Sequence, residues 1–222
     1  MSKIVFDIET VGVDFEDLDE GSQEYFLRFA DTPQKQEDAK NSLSFYPVTA
    51  QVVTIGMLDV DTDKAFVFFQ NNGKQEKFTE GNATYVSGDE KEILINFWKL
   101  IGKADTFITF NGRMFDCPFI MLRSAINSVR ATKDLMPYRY GKGPHVDLYD
   151  QLTFYGAATR KFSLDMWCKA FSIKSPKAEG ITGLQVKGLF KEGKYADIAK
   201  YCARDLKATK QLYFYWESFL KF

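Results

Sequence analysis

The chain has 222 residues, enough for one large domain with a substantial core but too few for two domains of ordinary size. Its 45% hydrophobic and 27% charged residues are typical of a globular protein and argue against a disordered or membrane-embedded chain. The net charge of −1 conceals an acidic stretch over 14–40, with nine acids and three bases (net −6), and a basic stretch over 158–210, with twelve bases and five acids (net +7). A near-neutral total does not exclude a polyanionic ligand, because such a ligand needs only a local basic surface.

The first half of the chain predicts three strands, an insertion and a helix. Residues 4–8 form a buried strand that begins almost at the first residue, without a signal-peptide layout. Residues 12–46 are acidic, with scattered aromatic residues, and we expect an inserted helical or irregular surface segment there. Strands over 51–60 and 64–70 are joined by the turn Asp61-Thr62-Asp63, and a helix begins at Ser87 or Asp89.

The second half alternates between regular elements and connections, with a sharp turn at Asn111-Gly112. The whole pattern predicts an α/β fold in which a mixed sheet is flanked by helices, the ribonuclease H-like arrangement, with residues 1–222 as a single domain. In chain order we expect a strand over 106–110, a helix over 116–127, a basic connection over 130–143, a strand or short helix over 145–152, a helix over 163–171 with Ser163 as its cap, a loop over 173–194 and a long helix over 195–219.

The cysteines indicate the redox compartment of the protein and whether a cysteine nucleophile is expected. Cys117, Cys168 and Cys202 are an odd number and have no metal-ligand spacing, so we expect free buried thiols in a reducing cytoplasm. Neither Cys117 nor Cys202 has a histidine near it in sequence, which argues against a cysteine nucleophile. No run is long and apolar enough to predict a membrane span.

Four acids in three short blocks carry the chemistry. Asp7 and Glu9 lie in Phe-Asp-Ile-Glu-Thr, and two residues that are two apart on a strand share one face. Asp116 ends Phe-Asn-Gly-Arg-Met-Phe-Asp, and Tyr201 and Asp205 are four apart on one helix face. Converging carboxylates repel one another unless cations lie between them, and ligation by oxygen alone favours Mg²⁺ or Mn²⁺. Two such ions are suited to in-line attack on a phosphodiester, so the blocks indicate a nuclease.

Each block also has an ordinary explanation when it is taken alone. Asp7 and Glu9 fit two exposed acids near a strand end, and Asp116 after a turn fits a helix N-cap. Tyr201 and Asp205 fit a structural hydrogen bond within a helix. Only the joint occurrence of the blocks, in order and each on a suitable element, favours an active site.

Together the blocks resemble the three exonuclease motifs of the DEDD (DnaQ-like) superfamily, in its tyrosine branch. More closely, the chain is similar to stand-alone relatives of the proofreading exonuclease domain of family B DNA polymerases. The histidine branch has His five residues before the last acid, where this chain has Lys200. Further matching stretches lie at 51–56, 145–148, 163–165 and 198–202.

The resemblance implies a role for each residue of the blocks. Asp7 would bridge two Mg²⁺ or Mn²⁺ ions, Glu9 and Asp205 would complete the shell of the first ion, and Asp116 would hold the second, largely through water. Tyr201 would orient the attacking water, since a phenol with a pKa of about 10 positions water better than it deprotonates it.

The resemblance also implies a binding site for the terminal nucleotide. Asn111 and the backbone around Ile8 and Thr10 would hold the terminal sugar and its 3′-hydroxyl. Phe115 would wedge or stack the last bases, although an ordinary core position explains it equally well.

Several charged or polar residues near the blocks have no assigned role. We expect Asp147 and Asp150 to be structural or to support the site indirectly, and His145 to be structural or to lie at the edge of the substrate. The basic residues expected to contact phosphate are Arg113, Arg123, Arg160 and Lys161.

The resemblance implies a metal-dependent 3′–5′ exonuclease that releases nucleoside 5′-monophosphates from the 3′ end of single-stranded DNA. Three alternatives stay open: an exoribonuclease of the same superfamily, a non-catalytic nucleic-acid-binding module, and a proofreading subunit that acts with a polymerase or repair partner supplied in trans. All five key side chains are intact, which argues against the non-catalytic module.

Overall fold

A seven-stranded mixed sheet forms the centre of the protein in a computed structural model, which describes residues 2–141, 143–175 and 183–221 without the side chain of Leu184. The strand order is β4-β5-β3-β2-β1-β6-β7. Strands β1 and β2 pair antiparallel at the centre, while β6 and β7 pair parallel on one side of them. The strands are β1 (Lys3–Gly12), β2 (Ala50–Asp59), β3 (Ala65–Phe69), β4 (Lys77–Glu80), β5 (Ala83–Ser87), β6 (Thr106–Thr109) and β7 (His145–Asp147).

Helices cover both faces of this sheet, as the predicted ribonuclease H-like arrangement requires. The helices are α1 (Glu20–Leu27), α2 (Pro33–Ser42), α3 (Glu90–Ile101), α4 (Asp116–Ile126), α5 (Leu148–Leu152), α6 (Leu164–Ala170), α7 (Val186–Lys191) and α8 (Tyr195–Phe219). Helices α3 and α4 form one hydrophobic core with the sheet, and α5, α6 and α8 form a second core on the opposite face. Within the described ranges, no helix combines the length and apolar character needed to cross a membrane.

The structure corrects two details of the predicted elements and decides between two alternatives for a third. Strands β4 and β5 were not predicted, so five strands precede α3 instead of three. Strand β4 is polar and mostly exposed, which removes the apolar alternation that identifies a strand. The predicted loop over 173–194 contains a 3₁₀ turn and α7, a short helix with Gly188 in its middle, while residues 176–182 lie outside the described part. The cap of α3 is Asp89, which forms a capping box with Glu92.

The inserted segment over 12–46 lies on the surface, as expected, and its last turn is fixed to the end of β1. Helices α1 and α2 contain no buried residue. The Thr10 hydroxyl donates to the Ser44 carbonyl at 2.6 Å, and the Gly12 N–H donates to the Ser44 hydroxyl at 3.0 Å. A Cβ on Gly12 would lie 2.6 Å from the Ser44 nitrogen, so this close backbone approach requires glycine. Leu43, in the same turn, is fully buried.

Helix α8 approaches the sheet closely over a glycine of β2. Gly56 pairs with Asp7 of β1 in the antiparallel register. A Cβ on Gly56 would lie 2.7 Å from the Leu206 Cδ1 atom and 2.8 Å from the Cys202 Sγ atom, both on α8. The missing side chain therefore allows α8 to pack directly on β1 and β2.

We expect Gly56→Ala to lower the free energy of unfolding by about 1–3 kcal/mol, because the added methyl group overpacks the contact between α8 and the sheet. Gly188→Ala is the matched control: nothing lies within 4 Å of its added Cβ, and it should leave stability unchanged or raise it by about 0.5–1 kcal/mol. Urea unfolding of both variants measures the effect. Equal stability of Gly56→Ala and the wild type would contradict this account of the packing.

Candidate active site

Strand β1 presents its acids on the face covered by α8. Phe6 and Ile8 point to the other face and pack with α3 and α4. Asp7 and Glu9 alternate with them, and the register between β1 and β2 shifts between Glu9 and Thr10. Such an irregularity bends a strand and re-aims its side chains, here beside the two acids.

Helix α8 brings a third carboxylate to these two. Carboxylate oxygens of Asp7, Glu9 and Asp205 all lie within 4.8 Å of one another. Tyr201 lies one turn before Asp205 on α8, so the two side chains share one face of the helix. The Tyr201 ring packs in a small core with Val11 and Val186, which fixes its position.

Asp116 is the first residue of α4 and does not belong to the group formed by Asp7, Glu9 and Asp205. It lines one cavity together with those three acids. Its Oδ1 atom accepts a hydrogen bond at 3.1 Å from the N–H of Ile8, the residue between Asp7 and Glu9 on β1. Its side chain does not cap α4, because the cap position is Phe115 and no side-chain cap bond is formed there. The ordinary N-cap explanation of this acid is therefore wrong.

Burial and mutual repulsion raise the pKa of these acids. Burial raises the pKa of Asp7 well above its ordinary value, and the charges of Asp116 and Asp205 raise it further. Burial also raises the pKa of Glu9, and the charges of Asp205 and Asp116 raise it further. Burial raises the pKa of Asp116 to about 7, although the bond from the Ile8 N–H opposes the shift. Clustered oxygen donors that repel one another fit a hard divalent cation such as Mg²⁺ or Mn²⁺.

A cavity of about 610 Å³ contains these acids together with Tyr201, Asn111 and Phe115. Asn111 has a left-handed backbone, with φ of +62°, at the turn between β6 and α4. The Asp147 carboxylate holds this turn by accepting from the Asn111 N–H at 2.9 Å and from the Arg113 N–H at 2.8 Å. The geometry thus gives Asp147 a structural role, as expected.

The wall of the cavity includes residues that the sequence did not identify. From the inserted segment, Phe45 contacts Phe115 edge to face, with the ring centroids 6.3 Å apart. Lys187 of α7 also lines the cavity, with its Nζ atom 2.8 Å from the Val13 carbonyl and 2.9 Å from Asp14. Two sequence signals pointed to the segments that carry these residues, the acidity of the insertion and the basic stretch over 158–210. Neither signal identifies an individual residue. The other lining residues that were missed are Asn41, Ser44, Phe110, Met114 and Gly183.

One backbone group expected to hold the terminal sugar, and one side chain beside that backbone, are already bonded within the protein. The Ile8 N–H donates to Asp116, and the Thr10 hydroxyl donates to the Ser44 carbonyl. Both residues line the cavity, so they can still contact a substrate through other atoms. The structure therefore does not present the Ile8 N–H to a sugar, and the expectation for the rest of the backbone around Ile8 and Thr10 stays a prediction.

Two of the four basic residues expected to contact phosphate are used inside the protein. Arg123 forms a two-point ion pair with Glu90, with Nη2 2.6 Å from Oε2 and Nε 2.8 Å from Oε1. Arg113 donates to the Pro137 carbonyl at 2.8 Å and lies close to Asp150. The expectation was wrong for both, since sequence cannot show which guanidinium a buried carboxylate binds. Arg160 and Lys161 are exposed.

The histidine and the cysteines have structural surroundings. His145 shares a 2.8 Å hydrogen bond with the Thr109 hydroxyl and stacks on Phe107, and burial lowers its pKa to about 3. All three cysteines are buried and free, as predicted. Cys202 lies beside the acids, with its Sγ atom 3.6 Å from the Asp7 Oδ2 atom, and burial raises its pKa well above the ordinary value.

The raised pKa values predict how stability depends on pH when divalent metal is absent. Because these pKa values are higher in the folded protein than in the unfolded chain, the folded state binds more protons above a pH of about 4. The free energy of unfolding should therefore fall as pH rises from about 4 through about 7, the pKa of Asp116. Asp7→Asn removes one charge and should stabilise the protein by about 1–2 kcal/mol at neutral to alkaline pH in EDTA.

Urea unfolding in EDTA across this pH range measures the effect. Asp61→Asn, at an exposed turn, is the control and should follow the wild type. If Asp7→Asn lost stability at alkaline pH, repulsion within the cluster would be refuted.

Comparison with known proteins identifies a family for this chain and a solved structure with a similar fold. Residues 44–220 match a family model described as a predicted 3′–5′ exonuclease related to the exonuclease domain of PolB. This range contains Asn111, Asp116, Tyr201 and Asp205, while the acids of β1 precede it. The family B DNA polymerase of the hyperthermophilic archaeon Pyrobaculum calidifontis is similar in structure, with a TM-score of 0.64 and 18% identity over 99% of this chain and 25% of the polymerase. The chain thus spans a quarter of that polymerase's length. No curated protein matches it in sequence.

Proposed function

Because the chain belongs to the family of predicted 3′–5′ exonucleases related to the exonuclease domain of PolB, we propose that it hydrolyses the last phosphodiester bond at the 3′ end of single-stranded DNA. The products are nucleoside 5′-monophosphates, and residues 1–222 act as one exonuclease domain. The observation that carries the proposal is the approach of the Asp7, Glu9 and Asp205 carboxylates to within 4.8 Å of one another in a cavity of about 610 Å³.

The acids would hold two divalent ions, with Mg²⁺ or Mn²⁺ preferred by their oxygen donors. Asp7, Glu9 and Asp205 would hold one ion, with Asp7 shared between both, and Asp116 would hold the other. Bound ions of this kind lower the pKa of water and stabilise the charge of the attacking and leaving oxygens. The bond from the Ile8 N–H to Oδ1 fixes the orientation of the Asp116 carboxylate, so its other oxygen faces a defined direction.

Tyr201 would orient the attacking water. Burial raises the pKa of its hydroxyl, and the negative charge of Asp205 raises it further, so the phenol stays protonated at neutral pH. A protonated phenol can donate or accept a hydrogen bond but is unsuited to remove a proton from water. This supports a positioning role for Tyr201.

The terminal nucleotide would lie between Asn111 and Phe115, with its base on the Phe115 ring and its sugar beside the Asn111 amide. Both residues line the cavity on the α4 side. An aromatic face accepts any base, which suits a nuclease without sequence preference. DNA is proposed over RNA on the likeness to the PolB exonuclease domain, and a polymerase or repair protein is a candidate partner in trans.

The direct test is digestion of a 5′-labelled single strand of DNA in Mg²⁺ or Mn²⁺, alongside an RNA strand of the same sequence. We expect the DNA to shorten one nucleotide at a time and a 3′-phosphate to block digestion. Asp7→Asn and excess EDTA should each abolish hydrolysis, because both remove metal from the site. Asp61→Asn is the control and should keep full activity.

Rapid release of internal fragments, or activity that survives in Asp7→Asn, would contradict the proposal. Preferential digestion of the RNA strand would leave the chemistry in place and reassign the substrate.

We expect Tyr201→Phe to lower kcat by about 10–1000-fold, the range for loss of one oriented polar contact at a transition state. The ring stays packed, so the melting temperature and KM should change little. Tyr213→Phe is the matched control: Tyr213 is another buried tyrosine of α8, and its hydroxyl donates to Glu217 at 2.6 Å outside the cavity. Single-turnover rates at saturating Mn²⁺ separate the two variants. A Tyr201→Phe rate equal to wild type would remove this residue from the mechanism.

A further inference from the structure

A second cavity opens beside the acidic one and is continuous with it. It has a volume of about 640 Å³ and shares Phe110, Asn111 and Met114 with the cavity that contains the acids. Asn111 is the residue placed beside the terminal sugar, so the second cavity begins where the terminal nucleotide ends. We call it the side cavity.

Exposed aromatic rings form a connected group at the side cavity. Tyr155 lines the cavity, Tyr140 lies 5.2 Å from it between ring centroids, and Tyr138 lies 5.8 Å from Tyr140. Tyr140 is 61% exposed and Tyr155 is 37% exposed. Rings left in contact with water in this number do not contribute to the core, and a connected patch of them is typical of a binding surface.

The backbone holds these rings outward at a cost in strain. Phe154 and Tyr155 are consecutive residues with left-handed φ values of +49° and +56°, a conformation that bulky side chains rarely adopt. Tyr155 is fixed further by its N–H, which donates to the Asp150 carbonyl at 2.7 Å, and by its hydroxyl, which accepts from Gln151 at 2.9 Å. Left-handed residues are common just after a helix, but two bulky ones in succession are unusual, and such strain is concentrated at binding sites.

An ion pair joins the two segments that carry the rings. The Asp150 carboxylate, in α5, accepts from two nitrogens of Arg139, and the Arg139 guanidinium also lies 5.9 Å from the centre of the Tyr140 ring. This contact holds Tyr140 against Tyr155 before any ligand binds. Asp150 is therefore structural, in agreement with the expectation.

The charge beside the rings is positive. Lys161 lines the side cavity, is exposed, and forms no ion pair with the residues that the structure describes. Arg160, its neighbour, is exposed as well, with its guanidinium 5.8 Å from the centre of the Phe162 ring. Rings that can stack on bases next to unpaired cations are the arrangement that binds a single strand without regard to sequence.

We propose that the side cavity is the path of the single strand immediately 5′ of the terminal nucleotide, with bases stacked on Tyr140 and Tyr155 and phosphates beside Arg160 and Lys161. The direction of the bound strand rests on the proposed function, because the acidic cavity would hold the 3′ end. It specifies a substrate that extends beyond the terminal residue and is unpaired there, because bases paired in a duplex stack on one another and not on these rings.

The test measures binding and hydrolysis separately. Binding of a fluorescein-labelled thymidylate strand of about ten nucleotides, and of fluorescein-labelled thymidine 5′-monophosphate, is followed by anisotropy in EDTA. Tyr140→Ala should weaken binding of the long strand about tenfold, and Tyr140→Ala with Tyr155→Ala about a hundredfold, the loss expected for one and two stacked bases. Binding of the mononucleotide should be unchanged, because it fills only the site of the terminal nucleotide. Tyr140→Phe should restore binding of the long strand, and Lys161→Gln should reduce the salt dependence of its Kd.

Tyr215→Ala is the matched control, because Tyr215 is also 37% exposed but lies on α8 outside both cavities. Melting curves of each variant confirm folding. An unchanged Kd of the double variant for the long strand, or a wild type that binds neither probe, would overturn the inference. Normal binding by the wild type without hydrolysis in either Mg²⁺ or Mn²⁺ would instead overturn the proposed function and leave the binding path intact.

Discussion

The close packing of α8 on β1 and β2 is the constraint on which the candidate site depends. The acids of β1 face α8, which carries Asp205, and the absence of a side chain at Gly56 lets α8 pack closely at this contact. The same contact places Tyr201 over the cavity, within a small core formed with α7. The fold places three carboxylates within 4.8 Å of one another, and burial strengthens the repulsion between their negative charges.

This repulsion connects stability with chemistry. The pKa of Asp7, Glu9 and Asp116 is raised because the folded protein removes water from groups that it also brings together. The rest of the fold offsets the cost through two large cores on the two faces of the sheet. Sites in which charge is held in an unfavourable arrangement are typical of function, since divalent ions reverse the sign of the interaction.

Sequence predicted the elements whose periodicity or capping is strong, and with them the positions of the acids. The closing helix was predicted with its observed ends, Tyr195–Phe219, and the alternation in β1 predicted that Asp7 and Glu9 share a face. The polar edge strand β4 and the short α7 were missed because neither buries enough apolar surface to leave a pattern. Family membership follows from residues 44–220, so it supports the later acids more directly than those of β1.

Partners of polar side chains could not be predicted, because they depend on which distant residues the fold brings together. Arg123 pairs with Glu90, 33 positions away, and Asp147 holds a turn 36 positions before it. The same limit applies to Phe45 and Lys187, which reach the cavity from an insertion and from a short helix. The left-handed backbone of Phe154 and Tyr155 gives no sequence signal, since nothing about these residue types favours it.

The central claim is that the acids of β1, α4 and α8 hold divalent metal, and anomalous diffraction from crystals soaked in Mn²⁺ tests it most directly. The account predicts an anomalous peak between Asp7, Glu9 and Asp205, with metal–oxygen distances of about 2.1–2.2 Å, and a second peak beside Asp116. Asp7→Asn crystals should lose the first peak. Well-ordered crystals with Mn²⁺ bound elsewhere, or with no anomalous density in this cavity, would contradict the account.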